Sequence, residues 1–145
     1  MKLLIQRVSQ ASVTVNDNVI GQIDSGLLVF LGVDKGDTEQ AADRLLDKML
    51  NYRIFPDTQG RMNISVKNYG GGVLLVSQFT LSADTQKGLR PSFSSAAHPQ
   101  QAERFYQYCL ERLKQEHSQI ANGIFGADMK VSLVNDGPVT FWLEG

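Results

Sequence analysis

Gly26-Leu27-Leu28-Val29-Phe30-Leu31-Gly32-Val33 carries no polar side chain. A strand with one wet face alternates apolar and polar residues, so an unbroken apolar run reads as a strand covered on both faces and central in its sheet. Val73-Leu74-Leu75-Val76-Ser77-Gln78-Phe79-Thr80-Leu81 is a second such run. Between them, Ala42, Leu45, Leu46, Met49 and Leu50 recur at helical spacing and predict an amphipathic helix over residues 38–51. Asp37, with Gln40 three residues on, reads as its capping box.

Upstream, residues 2–8 read as a short strand. Ala11, Val13 and Val15 alternate with Ser12 and Thr14, and Asn16-Asp17-Asn18 is turn-forming, so residues 10–24 predict a hairpin. Residues 52–55 read as strand, 56–60 as a turn, and 68–72, with Gly70-Gly71-Gly72, as a loop. Downstream, residues 83–99 form an irregular stretch of 17 residues, long enough in a small domain to point to function. Pro99 suits the first turn of a helix whose apolar face is Ala102, Phe105, Tyr106, Cys109, Leu110 and Leu113. Two strands, residues 129–134 and 139–143, are expected on either side of a connection at Asn135-Asp136-Gly137-Pro138. Many strands with two separate main helices predict an α+β fold: one domain over residues 1–145 with a mixed or antiparallel, barrel-like sheet.

Composition narrows the function. The 145 residues are 42% hydrophobic and 20% charged, an ordinary globular mix. One cysteine, Cys109, excludes an internal disulfide and a multi-cysteine metal site, and two histidines argue against a histidine-rich metal centre. Cys109 falls on the apolar helix face and reads as core; His98 and His117 have no partner in sequence. The net charge is −1, with eight residues of each sign in residues 1–72 and six basic against seven acidic in 73–145. No basic arm is present, so any contact with RNA should be local, and DNA is not an expected partner. No apolar run approaches the ~20 residues of a membrane helix, and the N-terminal apolar stretch is too short for a signal peptide, so a cytoplasmic location is expected. Gly70-Gly71-Gly72 precedes a strand rather than a helix and is no phosphate loop.

Two strand ends stand out. At Ser77-Gln78-Phe79-Thr80 a wholly apolar strand becomes polar; alternation places Ser77 and Phe79 on one face and Gln78 and Thr80 on the other. These groups are either hydrogen-bonded structure or a site. Gly137-Pro138 is a candidate cis bond, since proline cannot donate to a ladder and sits here in a tight connection. It either reverses the chain or turns unshielded carbonyls into a pocket.

At these two places the sequence resembles the D-aminoacyl-tRNA deacylase family, called D-tyrosyl-tRNA deacylases in older naming. The carrying motifs are Ser77-Gln78-Phe79-Thr80-Leu81 and Asn135-Asp136-Gly137-Pro138-Val139-Thr140, helped by Tyr52-Arg53-Ile54-Phe55 and Arg90-Pro91-Ser92-Phe93. The likeness runs from Ile5-Gln6-Arg7-Val8 to Phe141-Trp142. It implies a cytoplasmic homodimer with active sites at the subunit interface. It implies hydrolysis of the ester between a D-amino acid and the 3′ end of tRNA, with no cofactor and no metal. Ser77, Gln78, Phe79 and Thr80 are then the expected catalytic segment, and Asn135, Gly137, Pro138 and Arg7 the expected substrate-binding set. Gly137-Pro138 is implied to be cis and lent by one subunit to the other's pocket.

Two mechanisms fit. Thr80 supplies a nucleophile, although no base stands beside it in sequence except Asp84. Alternatively, water attacks with help from a hydroxyl of the terminal ribose, and backbone N–H groups near Phe79 and Thr80 hold the oxyanion. The missing base favours the second. Arg7 is expected either to brace the Gly-Pro carbonyls or to be a plain surface residue, and Lys87 and Arg90 are expected RNA contacts. The competing readings are a non-catalytic module that binds RNA ends or small metabolites, and a small-ester hydrolase.

Overall fold

Residues Gly26–Gly32 form the middle strand, β3, of a computed structural model that describes residues 1–145. The elements run β1 (Lys2–Val15), β2 (Asn18–Ile23), β3, α1 (Glu39–Asn51), β4 (Phe55–Pro56), β5 (Met62–Ile64), α2 (Val66–Tyr69), β6 (Gly72–Ser77), a 3₁₀ turn (Phe79–Ser82), α3 (Pro99–Glu116), β7 (Ile120–Asn122) and β8 (Lys130–Glu144). The main sheet has the order β2-β1-β3-β6-β7, with β8 on the other side of β1. β3 pairs antiparallel with β1 and parallel with β6, and β7 is parallel to β6, so the sheet is mixed. The parallel neighbours need crossovers, which α1 and α3 supply. Both helices pack on one face, over Leu27, Val29, Val73 and Leu75.

The other face is covered by the protein's own strands. β1 is far longer than a single short strand: Lys2–Val8 pairs with β3, and Ala11–Val15 curls away to pair with β2. That far half brings Ala11 and Val13 over Leu28, Leu74 and Val76, joined by Met129, Val131 and Leu133. β2 thereby reaches β7: a side chain added at Gly21 would lie 2.5 Å from the Asn122 carbonyl oxygen. The result is an α+β domain with a nearly closed, barrel-like sheet and two main helices. β3 and β6 approach so closely that a Cβ on Gly26 would overlap the Gly72 carbonyl at 1.9 Å, which is why β3 begins with glycine; a Cβ on Gly72 would meet the Ile23 side chain at 2.8 Å.

Three local expectations need correction. The α1 N-cap is Thr38, whose hydroxyl accepts from the Ala41 N–H at 3.2 Å. Asp37 is occupied instead by the Asp34 N–H at 2.7 Å and by the Met1 ammonium. The stretch 52–55 is mostly irregular, with strand only at Phe55–Pro56. Residues 129–134 and 139–143 are not two strands about a reversal: they are two halves of β8, and both pair with β1. Cys109 is fully buried in the main core, as the helix face predicts. No helix is long and apolar enough to cross a membrane.

Candidate active site

The ladder of β6 stops at Ser77, opposite Leu31. The Gln78 N–H still donates to the Leu31 carbonyl at 2.8 Å, and then the chain folds over the end of β3 at Gly32. A Cβ on Gly32 would sit 2.9 Å from Leu81, so the crossing needs a glycine there. Phe79–Ser82 form the 3₁₀ turn, and the alternation expected through Thr80 is lost. Phe79 and Thr80 open that turn, so their N–H groups have no carbonyl behind them to bond. Both side chains are exposed, and the Gln78 amide donates to the Thr80 hydroxyl at 2.5 Å.

Beside this turn lies a cavity of about 450 Å³. One wall is Val76 to Phe79 and the other is Phe125, Gly126, Ala127, Met129 and Val131, with Ala97, Pro99 and Ala102 at the margin. None of these lining residues has an ionisable side chain. Tyr106 ties the walls together from below: its hydroxyl lies 3.0 Å from the Leu75 carbonyl and 3.2 Å from that of Gly123. The Gly123 N–H also donates to the Leu75 carbonyl, at 2.9 Å. Sequence reasoning placed Tyr106 in the core and did not find Phe125 or Met129 as pocket residues. Their roles depend on where β7 and α3 deliver the chain, which no local pattern carries.

Gly137-Pro138 is a cis peptide at an exposed knuckle in the middle of β8. Gln6 pairs with Thr140 and Val8 with Asn135, so residues 136–139 all stand opposite Arg7 alone. Asn135 spans the knuckle: its Oδ1 accepts from the Val139 N–H at 3.0 Å and its Nδ2 donates to the Thr140 hydroxyl at 2.9 Å. Arg7 is no plain surface residue, with its side chain only 13% exposed. Its guanidinium donates to the Asp136 carbonyl at 3.0 Å and to the Ile54 carbonyl at 2.7 Å, gripping the carbonyl before Gly137 rather than those of the dipeptide. Gly137 has φ +138°, and a Cβ there would meet Val139 at 2.6 Å.

The expected residues therefore form two groups. Ser77, Gln78 and Phe79 line the cavity with Thr80 next to them in the turn, and Arg7, Asn135, Gly137 and Pro138 come together at the knuckle. Neither Gly137 nor Pro138 lines the cavity of its own chain. Asp84, the one acid near the turn, is held at a loop neck, where its carboxylate accepts from the Gln86 N–H at 2.9 Å.

The sequence profile of the family described as D-Tyr-tRNA(Tyr) deacylase matches residues 4–144, which span both groups. A D-aminoacyl-tRNA deacylase of Cellvibrio japonicus is 60% identical over 141 residues, 97% of each chain. One of Pectobacterium atrosepticum is 59% identical over 144 residues, 99% of each chain. The chain belongs to the D-aminoacyl-tRNA deacylase family. Among solved structures, the c-Myc DNA unwinding element binding protein superposes with a TM-score of 0.96 at 42% identity, covering 100% of this chain and 99% of that one. A probable eukaryotic D-amino acid tRNA deacylase shares the fold, with a TM-score of 0.87 at 15% identity over 98% and 97% of the two chains.

As a deacylase, and so a hydrolase, the chain has hydroxyl groups at its cavity but no ionisable group in the lining to activate them. Burial pushes the Cys109 thiol up to about 12, and Cys109 lies in the core. Burial likewise raises the Tyr106 hydroxyl to about 12, so it stays a neutral hydrogen-bonding group. His117 is engaged at the far end of α3, where its Nε2 meets the Gly71 carbonyl at 2.6 Å.

Proposed function

We propose that this chain hydrolyses the ester between a D-amino acid and the 3′ end of tRNA, that it spares L-aminoacyl esters, and that it does so without a protein nucleophile. The observation that carries the mechanism is a cavity with no ionisable lining, next to the free N–H groups of Phe79 and Thr80. Thr80 has no base to activate it: its oxygen accepts from the Gln78 amide, which cannot take a proton. Water then attacks the carbonyl carbon, and the two N–H groups hold the resulting oxyanion. The carbon–oxygen bond to the ribose breaks. The 3′ oxygen leaves with a proton relayed through the neighbouring 2′-hydroxyl, giving free amino acid and tRNA. The cavity, apolar and about 450 Å³, has room for the terminal adenosine and orients the ester against the turn.

Chirality is assigned to Gly137-Pro138. The knuckle is exposed and takes no part in lining its own cavity, so it serves a second copy of the chain, and the working unit is a homodimer. Two features support such an association. The outer edge of β8 has no partner strand. Pairing also sets Phe30, Leu4 and Trp142 in a row across three strands, with Trp142 47% exposed. The partner's Gly-Pro carbonyls fill the place an L side chain would need, while a D side chain points outward. The net charge of −1 provides no surplus for phosphate-driven duplex binding, in keeping with a local contact at the aminoacyl end in the cytoplasm.

The test is release of amino acid from D-tyrosyl-, L-tyrosyl- and glycyl-tRNA. Exclusion by backbone has nothing to exclude in glycine, so the expected result is fast loss of the D-ester, measurable loss of the glycyl ester and a stable L-ester. An inert glycyl ester would contradict steric exclusion. Loss of all three would indicate a general esterase, and loss of none a binding module.

A further inference from the structure

The loop between the 3₁₀ turn and α3 grows out of the cavity rim. It leaves from Ser82 and returns through Ala97 and Pro99, both of which line the cavity. Its neck is closed by paired backbone bonds, Asp84 N–H to Ser92 at 2.7 Å and Ser92 N–H to Asp84 at 3.0 Å. The base is fastened by Ser95, whose hydroxyl donates to the Ser82 carbonyl at 2.7 Å, and by Phe93 against Phe79 with ring centres 5.0 Å apart. A loop so held presents its tip at a fixed place beside the catalytic turn.

The tip is Thr85-Gln86-Lys87-Gly88-Leu89-Arg90-Pro91 and carries two cations and no acid. Lys87 and Arg90 are exposed, and every ion pair of the chain lies elsewhere. Leu89 is 105% exposed, so it has no apolar contact within the chain. Two unpaired cations around a bare leucine match a single-stranded polynucleotide, which offers phosphates at intervals and unstacked base faces between them.

We infer that the tip of this loop binds the unpaired 3′ strand of tRNA just upstream of the terminal adenosine. Lys87 and Arg90 take backbone phosphates, and Leu89 packs on a base or ribose. This rests on the reading of the cavity as the seat of the aminoacyl end. The loop adds affinity for the polynucleotide and leaves the ester chemistry alone.

The experiment compares kcat/KM on D-tyrosyl-tRNA with that on 3′-O-D-tyrosyl-adenosine, which has the ester but no upstream strand. For a Lys87→Ala, Arg90→Ala double variant the ratio of tRNA to adenosine ester should fall about tenfold, the size of two lost hydrogen bonds. The slope of log kcat/KM against log salt on tRNA should become shallower by about 1.4, or about 0.7 for each single-strand phosphate. Leu89→Ser should lower the same ratio with no change in salt slope. An unchanged ratio would overturn the inference, as would an equal fall on both substrates, which would make the loop part of the cavity. Dissociation of the Leu89→Ser protein in sedimentation would also overturn it, by assigning Leu89 to a second copy of the chain. Failure of the parent protein to hydrolyse either D-ester would overturn the underlying reading of the cavity itself.

Discussion

D-Tyrosyl-tRNA ending in 2′-deoxyadenosine will be hydrolysed at least about a hundredfold more slowly than the ribose substrate, the usual reach of a positioned proton-transfer group. Thr80→Ala will stay within about fivefold of the parent, the loss of one neutral hydrogen bond. The cavity lining has no acid or base, Asp84 is committed to its loop neck, and Cys109 is buried as a neutral thiol. The only hydroxyl chemically adjacent to the leaving oxygen is the substrate's own. Single-turnover rates with the two tRNAs and the two proteins decide it. A dead Thr80→Ala enzyme that accepts the deoxy substrate would establish Thr80 as the nucleophile.

The second large effect concerns backbone. Phe79→Pro will lower kcat by about 10²–10³, the worth of one oxyanion donor. Phe79→Ala, which keeps the N–H and loses the ring, will fall by less than about tenfold. Proline is tolerated at Phe79 on physical grounds. The residue opens the 3₁₀ turn, where an N–H has no partner within the turn, and Gln78 before it is non-helical with φ −145° and ψ 81°. The pair of variants separates what the chain's amide does from what its side chain does. Equal losses would assign the role to the ring, and single-turnover kcat with saturating D-tyrosyl-tRNA is the measurement.

Much of the scaffold is legible in the sequence because burial leaves a local trace. The apolar runs at Leu27 and Val73 became neighbouring central strands, and both helix faces proved to be core. What the sequence hides is where a strand loses its partner. Residues 73–81 look like one strand, but β3 ends at Gly32 and the chain turns over it, so Phe79 and Thr80 become an exposed turn instead of a ladder. The same blindness split β8 in two. Its halves share β1 as partner, and only the slip opposite Arg7 reveals that the Gly-Pro segment is a knuckle rather than a reversal. The two motifs were readable residue by residue. Their separation in space was not, because it depends on which elements lie between them. That separation turns the site into a question about two chains.

Subunit complementation tests this claim most directly. Phe79→Pro and Gly137→Ala chains, each with a different affinity tag, are co-expressed, and the mixed dimer is purified on both tags. In that dimer one site joins the intact turn of one chain to the intact knuckle of the other, and the second site holds both lesions. The mixed dimer should then hydrolyse D-tyrosyl-tRNA at about half the parent rate and spare the L-ester, while the Phe79→Pro homodimer stays about a hundredfold or more below the parent and the Gly137→Ala homodimer hydrolyses the L-ester as well. A mixed dimer that hydrolyses the L-ester as its Gly137→Ala parent does would show that each chain uses its own Gly137-Pro138, and would contradict the account.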